Sequence, residues 1–369
     1  ISNFFDSSFV PYYIKHPIFV RFFHLFISLI LTKAFLLTPI FLQNNDKIVI
    51  IKIIFCNEHT LTFSPPLAIL RKKSLGDLIM EKALIGMSGG VDSSVAAFLT
   101  QQAGYACIGA TMRLFSNDVL GEDQQSTCCS LDDVEDAKSV ARRMGMPHYT
   151  FNFQDAFRET VMDKFVRCYE RGDTPSPCID CNRYLKFGTL LHRAQELGCQ
   201  YVVTGHYARI RRDPDTGRYL LYKAADKAKD QTYFLYCLTQ DMLEHTLFPL
   251  GELTKPQVRA IAEEHGFVTA RKHDSQDICF VPDGDYTAFL ERYTGKTYPQ
   301  GDFLDESGKV VGKHHGAVRY TIGQRKGLGL AMGEPVYVCG KDMQTNTVTV
   351  GPNSSLFSSA LQANDWNWF

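Results

Sequence analysis

Two sets of residues in this chain have the types and spacing to do chemistry: a loop that can hold phosphate, and thiols set where they can become nucleophiles. The loop lies in Ala83-Leu84-Ile85-Gly86-Met87-Ser88-Gly89-Gly90-Val91-Asp92-Ser93-Ser94, an apolar run broken by glycines and followed by helical spacing. Glycines admit an anion close to the backbone, the hydroxyls of Ser88, Ser93 and Ser94 can donate to phosphate oxygens, and a helix opening there presents free N–H groups and its positive dipole end. A Walker-type loop needs Lys followed by Ser or Thr, and no Lys occurs from Ala83 to Gln102. The stretch therefore reads as a nucleotide loop of another kind, with Asp92 the local carboxylate for Mg²⁺. The thiols lie in Thr174-Pro175-Ser176-Pro177-Cys178-Ile179-Asp180-Cys181-Asn182, at an expected helix N-terminus with Arg183 and Lys186 nearby. Helix N-termini and cations lower a Cys pKa from about 8.5 toward neutrality. Cys279, within Asp274-Ser275-Gln276-Asp277-Ile278-Cys279-Phe280, is a third thiol in a polar loop. A structural zinc site would need four ligands, and the other close pair, Cys128 and Cys129, is adjacent and poorly spaced. A thioredoxin-like redox pair would not account for the nucleotide loop.

The elements that must position these groups alternate. Ser93 to Gly104 is helical in pattern, Tyr105 to Met112 reads as strand, Leu131 to Met144 as a helix capped by Ser130 and Gly145, and His148 to Phe153 as strand. Helices follow over Asp155–Glu170 and Asn182–Leu197, then a strand at Tyr201, Val202 and Val203. Such alternation predicts a parallel sheet covered by helices on both faces, with ligands at the C-terminal strand ends. Met112 and Thr204-Gly205-His206-Tyr207 lie at such ends. Gly205 permits close approach of a nucleotide, whereas His206 is equally readable as structural, and Met112 as core or adenine contact. Arg209 to Gln231 carries seven Lys or Arg against four Asp. Within it Lys229-Asp230-Gln231-Thr232-Tyr233-Phe234 has the ingredients for phosphate contact and base stacking. Leu253 to Gly266 reads as one more helix, with Pro256 in its first turn. From Tyr286 onward, glycines punctuate short alternating runs, among them Ala317–Ile322, Val336–Val338 and Thr345–Val350. These predict a small β domain.

At 369 residues the chain has room for two or three domains. A net charge of -1 leaves any nucleic-acid contact to local patches. Eleven cysteines, odd in number and scattered, fit a reducing cytoplasm better than a secreted disulfide framework. Residues 1–79 differ from the rest. From Ile18 to Leu42 the text is rich in Phe, Leu and Ile, but Arg21, His24 and Lys33 interrupt it, and a central Lys costs about 2.5–3.5 kcal/mol on insertion scales. Because Met80-Glu81-Lys82 immediately precedes the first strand, residues 1–79 read as an appendage, with an anchor or targeting segment as the alternative. No membrane partner is expected. The expected division is 80–285 for the nucleotide domain, 286–350 for the small β domain, and 351–369 for the start of a further β-barrel.

Ser-Gly-Gly-x-Asp-Ser resembles the loop of the ATP pyrophosphatases, which cleave ATP between its α- and β-phosphates and adenylate a substrate. From Met80 onward the chain is similar to the bacterial-type tRNA-specific 2-thiouridylases. The matching residues are Gly86 to Ser93, the Pro-x-x-x-Cys-Asn segment ending at Cys181 and Asn182, Thr204-Gly205-His206-Tyr207, Lys229-Asp230-Gln231, Cys279 in its Asp-Ser context, and Gly323-Gln324-Arg325-Lys326-Gly327. They recur in that order over almost 290 residues. The resemblance implies an α/β fold, a parallel-sheet ATP-pyrophosphatase domain followed by a small β domain and the start of a C-terminal β-barrel. It also implies thiolation of the wobble uridine with ATP and Mg²⁺. Gly86, Met87, Ser88, Gly89, Gly90, Val91, Asp92, Ser93, Met112 and Gly205 would then contact ATP. Cys181 would be the nucleophile or resolving thiol and Cys279 the persulfide carrier, the two ending as disulfide partners. Ser176, Pro177 and Cys178 would meet the target base, and Lys229, Asp230 and Gln231 the tRNA. The partners would be tRNAs with lysine-, glutamate- and glutamine-type anticodons and a persulfide donor, a cysteine desulfurase or sulfur-relay protein. The better-known version of the family has Asp at Cys178. Hence Cys178, Cys181 and Cys279 could instead hold a [4Fe–4S] cluster with one open iron. An ATP-pyrophosphatase amide ligase, for which the cysteines would be incidental, is the rival from another enzymatic class.

Overall fold

The computed structural model describes residues 80–116, 131–274, 278–281 and 284–368, and short strands between residues 40 and 71. The chain divides into two units, Ile1–Ile79 and Met80–Phe369. In the first, Ile40–Asn44, Lys47–Ile51 and Ile69–Arg71 form one antiparallel sheet and Ile53–Phe55 pairs with Leu61–Phe63. Most of the Phe-rich stretch, with Arg21, His24 and Lys33, lies outside the described residues, as do Cys128, Cys129, Ser130 and Ser275 to Asp277. Among the described residues no helix is long and apolar enough to cross a membrane.

The second unit is built on a five-stranded parallel sheet. Its strands are β1 (Lys82–Gly86), β2 (Ala106–Arg113), β3 (His148–Asn152), β4 (Tyr201–Val203) and, after an antiparallel hairpin of β5 (Ala208–Arg212) and β6 (Tyr219–Lys223), β7 (Thr246–Leu247). Their order across the sheet is β7-β4-β1-β2-β3, so β1 is central. Ala83, Leu84 and Ile85 are fully buried because both faces of β1 are covered. Side chains alternate across a strand, and the cores divide accordingly: Leu84 and Val202 face one core, Ala83, Ile85 and Val203 the other. The second core is closed by α1 (Val91–Gln102) and α2 (Leu131–Arg143).

The first core is closed by two interrupted helices. One, α3, runs through Gln154–Phe157, a π-helical turn Arg158–Met162, and Asp163–Arg171, stopped by Gly172 at φ 92°. The other, α4, starts at Pro177–Asp180, unwinds into a π-helical stretch Cys181–Thr189, and recovers as Leu190–Glu196. Helix α4 thus begins five residues before the expected Asn182, since Pro177 occupies its first turn. After the short α5 (Gln240–Glu244), α6 (Lys255–Glu264) opens with a capping box of Thr254 and Gln257.

The region after Tyr286 departs from its expected character. It begins with a helix, α7 (Tyr286–Thr294), capped by Asp285, which accepts from the N–H groups of Thr287 and Ala288, and ended by Gly295 at φ 69°. Its Phe289 and Leu290 pack into the first core of the sheet domain. The mixed sheet proper comprises β8 (Gly301–Leu304), β9 (Val310–His314), β10 (Tyr337–Asp342) and β11 (Thr347–Gly351), in the order β9-β8-β11-β10. Ala317–Arg319, read as alternating strand, is a 3₁₀ turn that follows Gly316 at φ 104°. Beyond Gly351 the described residues hold one 3₁₀ turn, Asn353–Leu356, and no strand.

Phe280, beside Cys279, anchors its loop in the first core. Its ring lies 5.6 Å from Phe157, 5.2 Å from Phe165 and 5.0 Å from Phe289. Phe280→Ala should cost about 3–5 kcal/mol, read as a lower midpoint in chemical denaturation; a loss under about 1 kcal/mol would show that the cluster does not hold the loop.

Candidate active site

The loop between β1 and α1 holds its shape through serines. Ser88 N–H donates to Ser93 Oγ at 3.2 Å, while Ser93 and Ser94 hydroxyls donate to Gly90 O at 3.1 and 2.8 Å. Gly90, the N-cap, makes no side-chain cap, so the first N–H groups of α1 remain for an anion. Gly89 has φ 71°, and any Cβ there would collide with the Asp133 backbone. Gly205 at the end of β4 faces the same loop, where a Cβ would lie 2.8 Å from Asp92 C and Ser93 N. Thr111 Oγ1 on β2 donates to Met87 O at 2.9 Å, tying the neighbouring strand end to the loop.

The cation missing from the loop comes from elsewhere. Lys255, in the first turn of α6, brings Nζ to 2.7 and 2.8 Å from the two carboxylate oxygens of Asp92, and Tyr207 OH donates to Asp92 Oδ1 at 2.8 Å. The same ammonium lies 2.7 Å from Asp274, which also accepts from Arg259 at 2.9 Å and Lys229 at 2.8 Å. Burial works to raise the Asp274 carboxyl, but hydrogen bonds from Lys229 and Lys255 outweigh it and hold the group below its usual range. Lys272 is paired with Asp133 and Asp136 at the start of α2. Lys255 does not stand out in the sequence, and Tyr207 does so only as part of its motif: a Lys near a helix start reads as ordinary surface charge, and only tertiary packing buries it.

One cavity of about 410 Å³ opens on the loop and takes Asp92, Tyr207, Asp274 and Lys272 into its wall, but not Lys255. Its wall takes every loop residue from Gly86 to Ser93 except Gly89, then Met112 and Gly205, then Pro177, Cys178 and Cys181 from α4, and finally Lys229, Gln231 and Cys279. Gly89, Ser176 and Asp230 are not on that wall. Asp230 instead accepts from Ala224 N–H and Thr232 Oγ1 at 2.8 and 2.7 Å, and Gln231 brackets Tyr207 by accepting its N–H at 2.9 Å. His206 does line the cavity; it is buried, bonded through Nδ1 to Thr204 Oγ1 at 2.7 Å, and kept neutral by burial.

The thiols differ from expectation. Cys178 sits in the first turn of α4 and is exposed, but Cys181 is one turn in and buried. Burial pushes the Cys181 thiol up rather than down, with Lys186 pulling against it. Every described cysteine is a free thiol, so the Cys181–Cys279 disulfide is not formed here. Among the described residues no group of three or more His, Cys, Asp or Glu side chains is placed to hold a metal ion. The three thiols therefore do not fit the cluster reading. Mg²⁺ at Asp92 would have to displace the Lys255 ammonium, which both carboxylate oxygens now engage.

Comparison with known proteins follows the same division of the chain. The family model described as tRNA methyl transferase HUP domain matches residues 81–283, and the tRNA methyl transferase PRC-barrel domain matches 287–352. Curated relatives named tRNA-specific 2-thiouridylase MnmA are similar over most of the chain. That of Clostridioides difficile is 49% identical over 288 residues, 78% of this chain and 80% of its own. That of Symbiobacterium thermophilum is 51% identical over 301 residues, 80% of this chain and 77% of its own. A third, from Lachnoclostridium phytofermentans, is 50% identical over 289 residues, 78% and 81% of the two chains. The chain belongs to the tRNA-specific 2-thiouridylase family. The expected fold of this family, a parallel-sheet nucleotide domain followed by a small β domain, is the one observed.

Two predictions test the thiouridylase site's geometry. Gly205→Ala should weaken ATP binding at least about tenfold, since a methyl so close to backbone must push the loop; unchanged affinity by calorimetry would contradict the packing. The Asp274 carboxyl titrates below its unfolded value of about 4. Its ion pairs therefore stabilise fully above that pH and are lost as pH falls through the folded value. The difference in unfolding midpoint between the parent and Asp274→Asn should be constant from about pH 8 to about pH 5 and vanish below the folded pKa; a difference that grows in acid would reverse this sign.

Proposed function

We propose that the protein catalyses ATP-dependent 2-thiolation of the wobble uridine of tRNA, in a reducing cytoplasm. The observation that carries this reading is a single cavity joining a phosphate loop to thiols from two separate segments, Cys181 and Cys279. A uracil carbonyl oxygen is a poor leaving group, and ATP solves that problem: O2 attacks the α-phosphorus, the bond to the bridging oxygen breaks, and pyrophosphate departs onto Ser88, Gly90 and the start of α1. Met112 and Gly205 hold the nucleotide, with Lys255 exchanging Asp92 for phosphate charge. Mg²⁺, held by phosphate oxygens and Asp92, would add to that neutralisation.

Sulfur arrives as a persulfide on Cys279 from a donor protein. Its terminal sulfur attacks C2, the C2–O2 bond breaks, and AMP leaves with the original oxygen. The Cys181 thiolate then attacks Cys279 Sγ, the older S–S bond breaks, and its electron pair remains on the sulfur at C2 as 2-thiouridine. Cys181 and Cys279 are left as a disulfide, which a cellular thiol must reduce. Ser176, Pro177 and Cys178 would meet the base, and Lys229, Asp230 and Gln231 the tRNA, with Lys229 leaving its ion pair with Asp274 to meet a phosphodiester. A methyl transfer, as the family model's description suggests, would use neither pyrophosphate release nor two thiols. An amide ligase would retain activity without Cys181.

The test is thiolation of an in vitro transcribed lysine tRNA, read by nucleoside mass spectrometry with anaerobically prepared enzyme. Cys181→Ser and Cys279→Ser should each lower product at least about a thousandfold. Cys178→Asp should keep much of the activity without iron. Product undiminished in Cys181→Ser would overturn the relay, as would loss of activity in Cys178→Asp from a parent carrying about four irons per chain.

A further inference from the structure

Cys181 is a buried thiol that the proposed reaction needs as an anion, and its nearest neighbours in sequence do not help. Asp180 is acidic and already paired with Lys164 at 2.7 Å, and Cys178 would carry like charge if ionised. Lys186 is different. It lies five residues on, within the π-helical stretch Cys181–Thr189, and lines the same cavity as Cys181. In an α-helix a residue five positions on is turned about 140° away. In π winding the hydrogen bonds run from i to i+5, and that residue returns to the same side. The local unwinding of α4 therefore brings Lys186 to the side of the helix that carries Cys181, and both open on the one cavity.

The other lysines of the cavity wall are committed: Lys229 to Asp274, and Lys272 to Asp133 and Asp136. Lys186 makes no ion pair with a carboxylate among the described residues. Cys181 and His206 line the cavity with it and feel its charge, and His206 is neutral, bonded to Thr204. Its charge is thus left to act on the Cys181 sulfur.

We infer that Lys186 is a positioning residue for sulfur release, its ammonium holding the Cys181 sulfur as an anion aimed at Cys279. The inference rests on the proposed function. The Cys181 proton passes to solvent, the thiolate attacks Cys279 Sγ, the Sγ–S bond to the sulfur on C2 breaks, and negative charge moves from Cys181 to the thiocarbonyl sulfur. Adenylation and the first attack by the persulfide come before this step and do not require Lys186. Its loss should therefore stall the enzyme at one defined intermediate, tRNA joined through C2–S–S to Cys279.

The experiment is a single turnover with full-length protein persulfurated on Cys279, comparing the parent with Lys186→Met, Lys186→Gln and Lys186→Arg. The parent should release AMP and 2-thiouridine together. Met and Gln should release AMP within about threefold of the parent rate but form free 2-thiouridine at least tenfold more slowly, with a tRNA–protein adduct that dithiothreitol cleaves; Arg should restore most of the release. The retained burst of AMP reports that these variants are folded. Unchanged 2-thiouridine release in both Met and Gln would overturn the inference, as would AMP and product falling together without adduct. A parent that releases AMP but never 2-thiouridine would instead overturn the proposed function.

Discussion

The nucleotide loop carries an acid and no base, and the site depends on the cation that answers it. Lys255 is separated from Asp92 by 163 positions, yet its ammonium contacts both oxygens of that carboxylate. With the Lys255 side chain 10% exposed, the pair is screened less than a surface ion pair, and removing Lys255 would leave both Asp92 and Asp274 without its charge. A Walker loop holds its lysine in the same turn as its glycines. Here the charge is delivered by a separate helix, so the loop, β4 through Gly205 and Tyr207, and α6 must pack correctly before the phosphate site exists.

That arrangement also joins the two halves of the chemistry. Asp274 shares Lys255 with the loop and binds Lys229 from the segment proposed to meet tRNA, while its own strand of chain runs on to Cys279. Arg259 fixes the same segment by donating to Ala270 O and Lys272 O, each at 3.0 Å. Phe280 then buries the far side of the Cys279 turn among Phe157, Phe165 and Phe289. Cys279, proposed to carry the sulfur, is thus next to a side chain held by aromatic packing. Cys181, by contrast, is placed by a departure from regular helix, and π-helical segments of this kind are concentrated at functional sites.

Local patterns in the sequence were enough to read the sheet domain. Ala83 to Gly86, Tyr105 to Met112 and the capped helix from Leu131 have the periodicity and punctuation of their elements, and the loop and its thiols announce themselves by residue type. What was not legible depends on long-range contact or on winding. Lys255 acquires its meaning from Asp92, and nothing near it in sequence signals it; Tyr207 lies in a motif that is legible, but its bond to Asp92 is not. Cys181 reads as an N-terminal thiol when Asn182 is taken to open the helix; Pro177 opens it instead, and Cys181, one turn in, is buried. Helix α7 was hidden among glycine-spaced runs because its nine residues are rich in aromatics and threonine, which favour strand as readily as helix. Asp230 and Gln231 sit in a motif that reads as RNA-facing, yet their side chains brace the backbone around Ala224 and Tyr207.

The central claim is that ATP activates the uridine oxygen so that sulfur can replace it. A tRNA substrate carrying ¹⁸O at O2 of the wobble uridine tests this directly, with the AMP released in one turnover analysed by mass spectrometry. The account predicts that each AMP formed with 2-thiouridine contains one ¹⁸O in its phosphate. Unlabelled AMP, with the isotope recovered in water, would contradict it.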